Sequence, residues 1–178
     1  MASLSKEDIR RLLSLLNEEL ANQNAVGELY LVGGAVMSLV FDARPSTQDV
    51  DAFFRPAAEV RNAAKIVATR AGVSEKWLND AVKGFFGEHG AFASFLELSN
   101  LRIFTAQPEY LLAMKCLAMR IGEEFHDYDD VRFLLRYLNI ESYQDAVGIL
   151  TPYYPLERFP QKTLSALEEL LENTSSAK

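Results

Sequence analysis

The chain has 178 residues, 49% of them apolar, which is enough for one moderately large domain or for a small domain with an appended subdomain. The charged fraction is ordinary, which excludes a disordered chain, and the formal net charge of −7 argues against general electrostatic binding of nucleic acids. Cys116 is the only cysteine, so no intramolecular disulfide can form.

No apolar run reaches the length that a membrane-spanning helix needs. The first residues also lack the basic-then-apolar pattern of a signal peptide. We therefore expect a cytoplasmic protein that makes no use of a membrane.

The first predicted element is an amphipathic helix over residues 6–23. Ser5 and Asp8 have the spacing of a capping box at its start. Apolar residues then recur at helical spacing, and they are Ile9, Leu12, Leu13, Leu16 and Leu20.

Residues 29–54 form the stretch on which the rest of the interpretation depends. The apolar run 29–32 predicts a buried strand, and Gly33-Gly34 end it. A short apolar helix follows over 35–41, then a loop, and then a second strand over 52–54. This order places a glycine pair between a strand and a helix.

Asp49 and Asp51 precede the second strand and are two residues apart, so they point to the same face. Two neighbouring carboxylates repel each other and are costly to bury, and a divalent cation removes both penalties. Mg²⁺ prefers oxygen ligands and often takes one or two carboxylates together with phosphates. Because Gly33 and Gly34 have no side chain, the backbone there can approach a phosphate closely. Taken singly, each feature is also typical of an ordinary turn or of solvated acids.

The combination resembles the DNA polymerase β-like nucleotidyltransferase superfamily. The similarity is carried by Gly33-Gly34 followed by Thr47, Asp49 and Asp51, the last three within Thr-Gln-Asp-Val-Asp. The resemblance implies that Asp49 and Asp51 hold Mg²⁺ or Mn²⁺. It further implies that Gly33, Gly34 and Thr47 contact the nucleotide.

Two helices and a hairpin are predicted next. Pro56 suits the first turn of a helix that Gly72 ends, and Ser74 begins a short helix through Asp80. Residues 92–98 and 101–105 predict two strands of a hairpin. The superfamily often has a third metal-binding acid on a later strand, and the only well-placed acid here is Glu97. Glu97 could equally be an ordinary outward-facing strand residue.

From Pro108 onward the pattern is helical, beginning with a helix over 109–120. Lys115 shares a face of this helix with Leu111 and Leu112. A lysine on a buried face must reach solvent or meet an anion, and a triphosphate is one suitable partner.

A second resemblance covers these helices. Lys115 and Arg120, followed by Asp127 and Asp130 at the start of the next helix, are similar to a downstream motif of toxin-type and abortive-infection nucleotidyltransferases. It implies catalytic roles for Lys115 and Asp127, with Asp127 positioning the lysine or acting as an accessory acid or base. The acids also suit a helix N-terminus for purely electrostatic reasons.

We therefore expect an α/β (α+β) fold. A nucleotidyltransferase-like mixed sheet with helices would occupy residues 1–106, and an all-helical part would occupy 107–178. The expected function is Mg²⁺-dependent transfer of a nucleoside monophosphate from a nucleoside triphosphate to a hydroxyl of RNA (tRNA) or of protein. The resemblance adds a role in toxin–antitoxin or phage-defence systems, with an antitoxin protein as a partner.

Two alternatives stay open from the sequence. The chain could be a catalytically degenerate nucleotidyltransferase fold that binds a nucleotide or a partner, which is favoured by Ala35 in the place of the common Ser or Thr and by the uncertain third acid. It could also be an interaction protein of this fold that binds no nucleotide.

Overall fold

The computed structural model describes residues 2–87, 89–120 and 126–176. Within these residues the chain has a mixed α/β fold with seven α-helices, a five-stranded sheet and a two-stranded sheet, which confirms the expected fold class. The strands are β1 (Leu4–Ser5), β2 (Gly27–Val32), β3 (Ser46–Thr47), β4 (Val50–Arg55), β5 (Leu78–Asn79), β6 (Phe92–Glu97) and β7 (Leu101–Ala106). The helices are α1 (Lys6–Asn22), α2 (Gly33–Leu39), α3 (Ala57–Ala71), α4 (Pro108–Leu117), α5 (Asp127–Tyr137), α6 (Tyr143–Leu150) and α7 (Gln161–Ser175).

The chain packs as two compact units. Unit 1 comprises Met1–Gly84 and Phe92–Ala106, and unit 2 comprises Phe85–Ala91 and Gln107–Lys178. The sequence-based range 1–106 included Phe85–Ala91 in the first part of the chain, whereas in the structure these residues belong to unit 2. In unit 2 the hydroxyl of Tyr154 donates a hydrogen bond to the carbonyl of Phe85, and the hydroxyl of Tyr110 accepts one from the amide of Gly87. Two tyrosines of unit 2 therefore bind the backbone of Phe85 and Gly87.

The large sheet of unit 1 has the strand order β5-β4-β2-β7-β6. Strand β2 pairs antiparallel with β4 and parallel with β7, while β5 runs parallel to β4 and β6 antiparallel to β7. The central position of β2 follows from its apolar run, because a strand paired on both sides must be largely buried. Gly33 and Gly34 therefore follow directly on the end of a central strand.

Helices α1 and α3 pack against each other and cover one face of this sheet. The capping box at Ser5 and Asp8 is formed, with Ser5 Oγ accepting from the Asp8 amide at 3.1 Å and Asp8 Oδ2 accepting from the Ser5 amide at 2.9 Å. Gly72 ends α3 in a left-handed conformation with φ 68°, as glycine commonly does at this position. The sequence-based helix starting at residue 6 and the helix after Pro56 are both confirmed.

The predicted helix from Ser74 to Asp80 is wrong. The chain there makes a turn and then forms β5, which pairs with the beginning of β4. Trp77 is 1% exposed, and its indole Nε1 donates to the carbonyl of Ala64 at 3.0 Å. Burial of this one large side chain, together with strand pairing, outweighs the weak helical propensity of the segment.

Unit 2 is built from α4 to α7, and α4 packs on both α5 and α6. Helix α4 ends at Leu117 rather than at Arg120 as predicted. No strand follows Pro108 in the described residues, in agreement with the expected helical C-terminal part. Within the described ranges, none of the helices has both the length and the apolar character needed to cross a bilayer.

Candidate active site

The two glycines at the start of α2 permit close contacts that a side chain would prevent. Gly33 has φ 68°, a conformation that L-residues rarely adopt. A Cβ on Gly33 would lie 2.9 Å from Asp51 Oδ2. A Cβ on Gly34 would lie 2.6 Å from Thr47 Oγ1 and would collide with the guanidinium of Arg44. Side chains from two different segments therefore lie directly against this glycine backbone.

Asp51 is the second residue of β4 and is in register with Val32 on one side and with Asn79 on the other. Asp49 directly precedes the strand, and alternation along the chain places it on the same face as Asp51. Both acids are partly exposed. Asp51 lies beside the glycine bend, since its Oδ2 would meet a Cβ on Gly33.

Asn79 orients the first of these acids. Its side-chain Nδ2 donates a hydrogen bond to Asp49 Oδ2 at 2.8 Å. Sequence reasoning missed Asn79 because it placed that segment in a helix, where the side chain would not have been next to β4. Parallel pairing of β5 with β4 is what brings the amide to Asp49.

Thr47 and Arg44 complete the surroundings of Gly34. Thr47 is 8% exposed and belongs to β3, which pairs antiparallel with β1. This small sheet fixes the loop that would otherwise connect α2 and β4 loosely. Arg44 was not selected from the sequence, although a basic residue five positions before Asp49 in a loop that follows a glycine pair was an available signal.

Glu97 does not join Asp49 and Asp51. It lies on β6, which is three strands away from β4, or about 14 Å at the usual strand spacing. Its side chain is 73% exposed and lies 3.8 Å from Arg102 Nε. The structure therefore places Glu97 as an outward-facing strand residue with a basic neighbour.

Lys115 and Asp127 belong to a compact ionic cluster in unit 2. Lys115 Nζ lies 2.7 Å from Asp130 Oδ2 and 3.5 Å from Asp127 Oδ1. Asp127 Oδ2 also accepts hydrogen bonds from the backbone amide of Arg120 at 3.0 Å and from Arg120 Nε at 2.9 Å. The lysine that the sequence marked as needing an anion thus meets two carboxylates of its own chain.

The protonation state of Asp127 follows from these contacts. Burial raises the pKa of this carboxyl, but the hydrogen bond from Arg120 and the charge of Lys115 outweigh burial, so the pKa lies below its ordinary value. A carboxylate with a lowered pKa is ionised at neutral pH. Asp127 is therefore suited to orienting Lys115 and poorly suited to donating a proton.

The predicted site residues thus form two groups. Gly33, Gly34, Thr47, Asp49 and Asp51 lie together in unit 1, whereas Lys115 and Asp127 lie together in unit 2. From the sequence we also expect Lys115 and the Asp127 region to face Asp49 and Asp51, and this stays a prediction.

The donors in unit 1 can be compared with what a metal ion requires. Mg²⁺ is commonly held by one or two carboxylates, with phosphates and water completing its six positions. Asp49 and Asp51 match that number. In the part of the chain that the structure describes, no group of three or more His, Cys, Asp or Glu side chains is arranged to hold a metal. The residues fit Mg²⁺ or Mn²⁺ bound jointly with a triphosphate, rather than in a closed protein cage.

Comparisons with protein-family models, with curated proteins and with solved structures found no match for this chain.

Proposed function

We propose that this chain is a Mg²⁺-dependent nucleotidyltransferase that moves a nucleoside monophosphate from a nucleoside triphosphate to an acceptor hydroxyl of RNA or of protein. The observation that carries the proposal is the contact between Asp51 and Gly33, where Asp51 Oδ2 comes within 2.9 Å of the space that a side chain would fill. An acid that could hold a cation is thereby placed beside a backbone that a phosphate can approach.

The groups around this contact have suitable charges. Asp49 and Asp51 carry the negative charge that attracts a divalent cation, while Arg44 and Thr47 supply a positive charge and a hydroxyl next to Gly34. Guanidinium groups form strong charge-assisted hydrogen bonds with phosphate oxygens. A triphosphate carrying its cation would therefore meet complementary charges on both sides of the glycine pair.

In the proposed reaction the acceptor oxygen forms a bond to the α-phosphorus, the bond from that phosphorus to the β-bridging oxygen breaks, and pyrophosphate leaves. The hydroxyl proton passes to solvent. A bound Mg²⁺ would lower the cost of the negative charge that develops on the phosphates. Asp49, oriented by Asn79, and Asp51 would fix the position of the triphosphate, and Arg44 would stabilise charge on its oxygens.

The transfer reaction can be tested with labelled nucleotides. The purified protein is incubated with each α-labelled nucleoside triphosphate, Mg²⁺, and either total RNA or a cell extract. The proposal expects label in one macromolecular fraction and expects Asp49→Asn and Asp51→Asn to abolish it. Labelling that persists at full rate in both variants would show that these acids do not carry the reaction.

A second candidate is a degenerate member that binds a nucleotide without transferring it. It is favoured by the positions of Glu97, which lies three strands from the acid pair, and of Lys115, whose charge is matched by Asp127 and Asp130. Calorimetry with Mg²⁺ and nucleotide separates the candidates. Binding that Asp51→Ala weakens, together with no labelled product, would favour the degenerate protein.

The toxin role is also proposed on the resemblance alone. Controlled expression in a bacterial host would arrest growth if the chain modifies an essential RNA or protein. The arrest should disappear with Asp51→Asn at equal expression. Equal arrest by wild type and variant would separate toxicity from nucleotidyl transfer.

A further inference from the structure

The sheet of unit 1 has one face that α1 and α3 do not cover. Phe54 of β4 faces the helices, since it is 2% exposed and the guanidinium of Arg61 in α3 lies 5.7 Å from its ring centre. Phe53, its neighbour, must point to the opposite face. Asp51 shares that opposite face, since it is two residues from Phe53.

Four aromatic rings form a continuous cluster on this face, which we call the aromatic platform: Tyr30, Phe53, Phe92 and Phe104. Tyr30 stands at its centre, with ring centres 4.8 Å from Phe104, 5.2 Å from Phe92 and 6.0 Å from Phe53. Each of the four residues is partly exposed. Aromatic rings that keep exposed surface are suited to stacking with a planar ligand.

Hydrogen bonds hold the central ring in position. The hydroxyl of Tyr30 donates to Glu28 Oε2 at 2.9 Å and accepts from Arg55 Nη2 at 3.1 Å. The guanidinium of Arg55 also lies 5.6 Å from the centre of the Tyr30 ring. The ring of Tyr30 is therefore held in position before any ligand binds, which lowers the entropic cost of stacking on it.

A row of alternating charges borders the platform on the side away from Asp51. It runs across four strands through Glu97, Arg102, Glu28 and Arg55, which are successive register partners. Arg55 Nε lies 2.6 Å from Glu28 Oε2, and Arg102 lies 3.8 Å from both Glu28 and Glu97. Because two positive and two negative charges cancel, this row offers little net attraction to a polyphosphate backbone.

On the other side, the platform lies next to the candidate metal site. Tyr30 is in register with Phe53, and Val32 is in register with Asp51, so the acid is one row further along the same face. Two residues of a strand span about 7 Å. The ribose of a nucleotide separates its base from its α-phosphate by a comparable distance.

We infer that the aromatic platform binds the nucleobase of the nucleotide whose triphosphate lies at Gly33 and Asp51. The inference rests on the proposed function. The charges decide the occupant, because a neutral base suits a charge-balanced aromatic surface, whereas a nucleic-acid strand would need net positive charge that neither the row nor the chain supplies.

Calorimetry in the presence of Mg²⁺ tests the inference with two probes. One is inorganic tripolyphosphate, and the other is whichever of ATP, GTP, CTP and UTP wild type binds most tightly. Wild type should bind the nucleotide roughly tenfold or more tightly than tripolyphosphate, because stacking of a base on one aromatic ring contributes affinity of that size. Phe53→Leu should remove most of that difference and leave tripolyphosphate affinity unchanged. Phe53→Tyr, which keeps the ring, should retain it.

Phe95→Leu is the matched control. Phe95 is a partly exposed aromatic residue of the same sheet, but the guanidinium of Arg10 from α1 lies 5.5 Å from its ring centre, so it is on the helix side. This variant should leave both affinities as in wild type.

The outcomes separate this inference from the proposal beneath it. If wild type binds tripolyphosphate and the nucleotide equally, or if Phe53→Leu weakens both probes alike, the platform does not bind the base and the phosphate site remains. If single-stranded RNA oligonucleotides without a triphosphate bind as tightly as the nucleotide and lose affinity with Phe53→Leu, the occupant is a strand and the inference is overturned. If neither probe binds wild type, both proposals fail.

Discussion

Lys115 and Asp130 form a buried ion pair, with Nζ and Oδ2 2.7 Å apart and with side-chain exposures of only 9% and 3%. Asp127, also buried, lies 3.5 Å from the same Nζ. The pair joins the last turn of α4 to the first turn of α5. Its charges are matched within unit 2, so removal of one partner leaves a charge in a site that solvent reaches poorly.

Lys115→Met should therefore lower the free energy of unfolding by about 3–5 kcal/mol, the usual cost of breaking a buried pair by removing one member. Adding Asp130→Asn should restore part of this loss, because it removes one uncompensated carboxylate. Urea denaturation of the single and double variants measures both effects.

Arg132→Met is the control for this substitution. Arg132 pairs with Asp129 at 3.6 Å, but the two side chains are 44% and 69% exposed. Exposed pairs contribute at most about 1 kcal/mol. Equal costs for Lys115→Met and Arg132→Met would mean that the buried pair contributes no more than the surface pair.

The stability of unit 2 should depend on pH through Asp127. Its pKa is lowered in the folded state, so between that pKa and the unfolded value of about 3.9 the unfolded chain binds more protons. The stabilisation is therefore fully present above about pH 5 and is lost as the pH falls through 3.9 towards the lower folded-state pKa.

Unfolding free energies measured from pH 7 to pH 3 test this dependence. Wild type should lose stability more steeply over the acidic part of the range than Asp127→Asn, which cannot titrate at this position. Curves that run parallel through the whole range would show that Asp127 is not the group responsible.

Gly33→Ala should be more damaging than Gly72→Ala. Both glycines have φ 68°, so both substitutions incur the left-handed backbone strain of about 1–2 kcal/mol. Only at Gly33 does the new Cβ meet another group, Asp51 Oδ2 at 2.9 Å, whereas the space beside Gly72 is open. The difference between the two unfolding free energies isolates the contact with Asp51.

The affinity for Mg²⁺-nucleotide can be compared in the same two glycine variants. Gly33→Ala should displace Asp51 and weaken Mg²⁺-nucleotide binding, while Gly72→Ala should leave it unchanged. If both variants bind as wild type does, the approach of Asp51 to Gly33 has no part in binding.

Much of the fold could be predicted because the local patterns agree with tertiary packing. The apolar stripe of α1, the hairpin of β6 and β7, and the order strand, helix and strand appear in the structure as expected. Helix α2, however, already begins at Gly33 and ends at Leu39 instead of spanning 35–41. The two-residue spacing predicted a shared face for Asp49 and Asp51, and Asp51 lies on a partly exposed face of β4 next to the bend. These features depend on periodicity, which is read directly from sequence.

Other features could not be predicted because they depend on contacts between distant segments. The segment around Trp77 is a strand because a neighbouring strand and the carbonyl of Ala64 were available to it. Arg44 and Thr47 lie against Gly34 in a segment that β3 joins to β1, a pairing between distant parts of the chain. For Lys115, the sequence showed a charge on an apolar face and suggested a ligand, whereas two carboxylates from the next helix satisfy it.

The central claim is that Asp51, beside Gly33, holds the cation of a bound nucleotide. Calorimetric titration of Mg²⁺ and nucleoside triphosphate into wild type, Asp51→Asn and Glu97→Gln tests this claim most directly, since the two variants remove the same charge from strands β4 and β6, which lie three strands apart in one sheet. The account predicts Mg²⁺-dependent binding that Asp51→Asn weakens on the order of tenfold or more and that Glu97→Gln leaves intact. Binding of equal strength in all three proteins, or no binding to wild type, would contradict it.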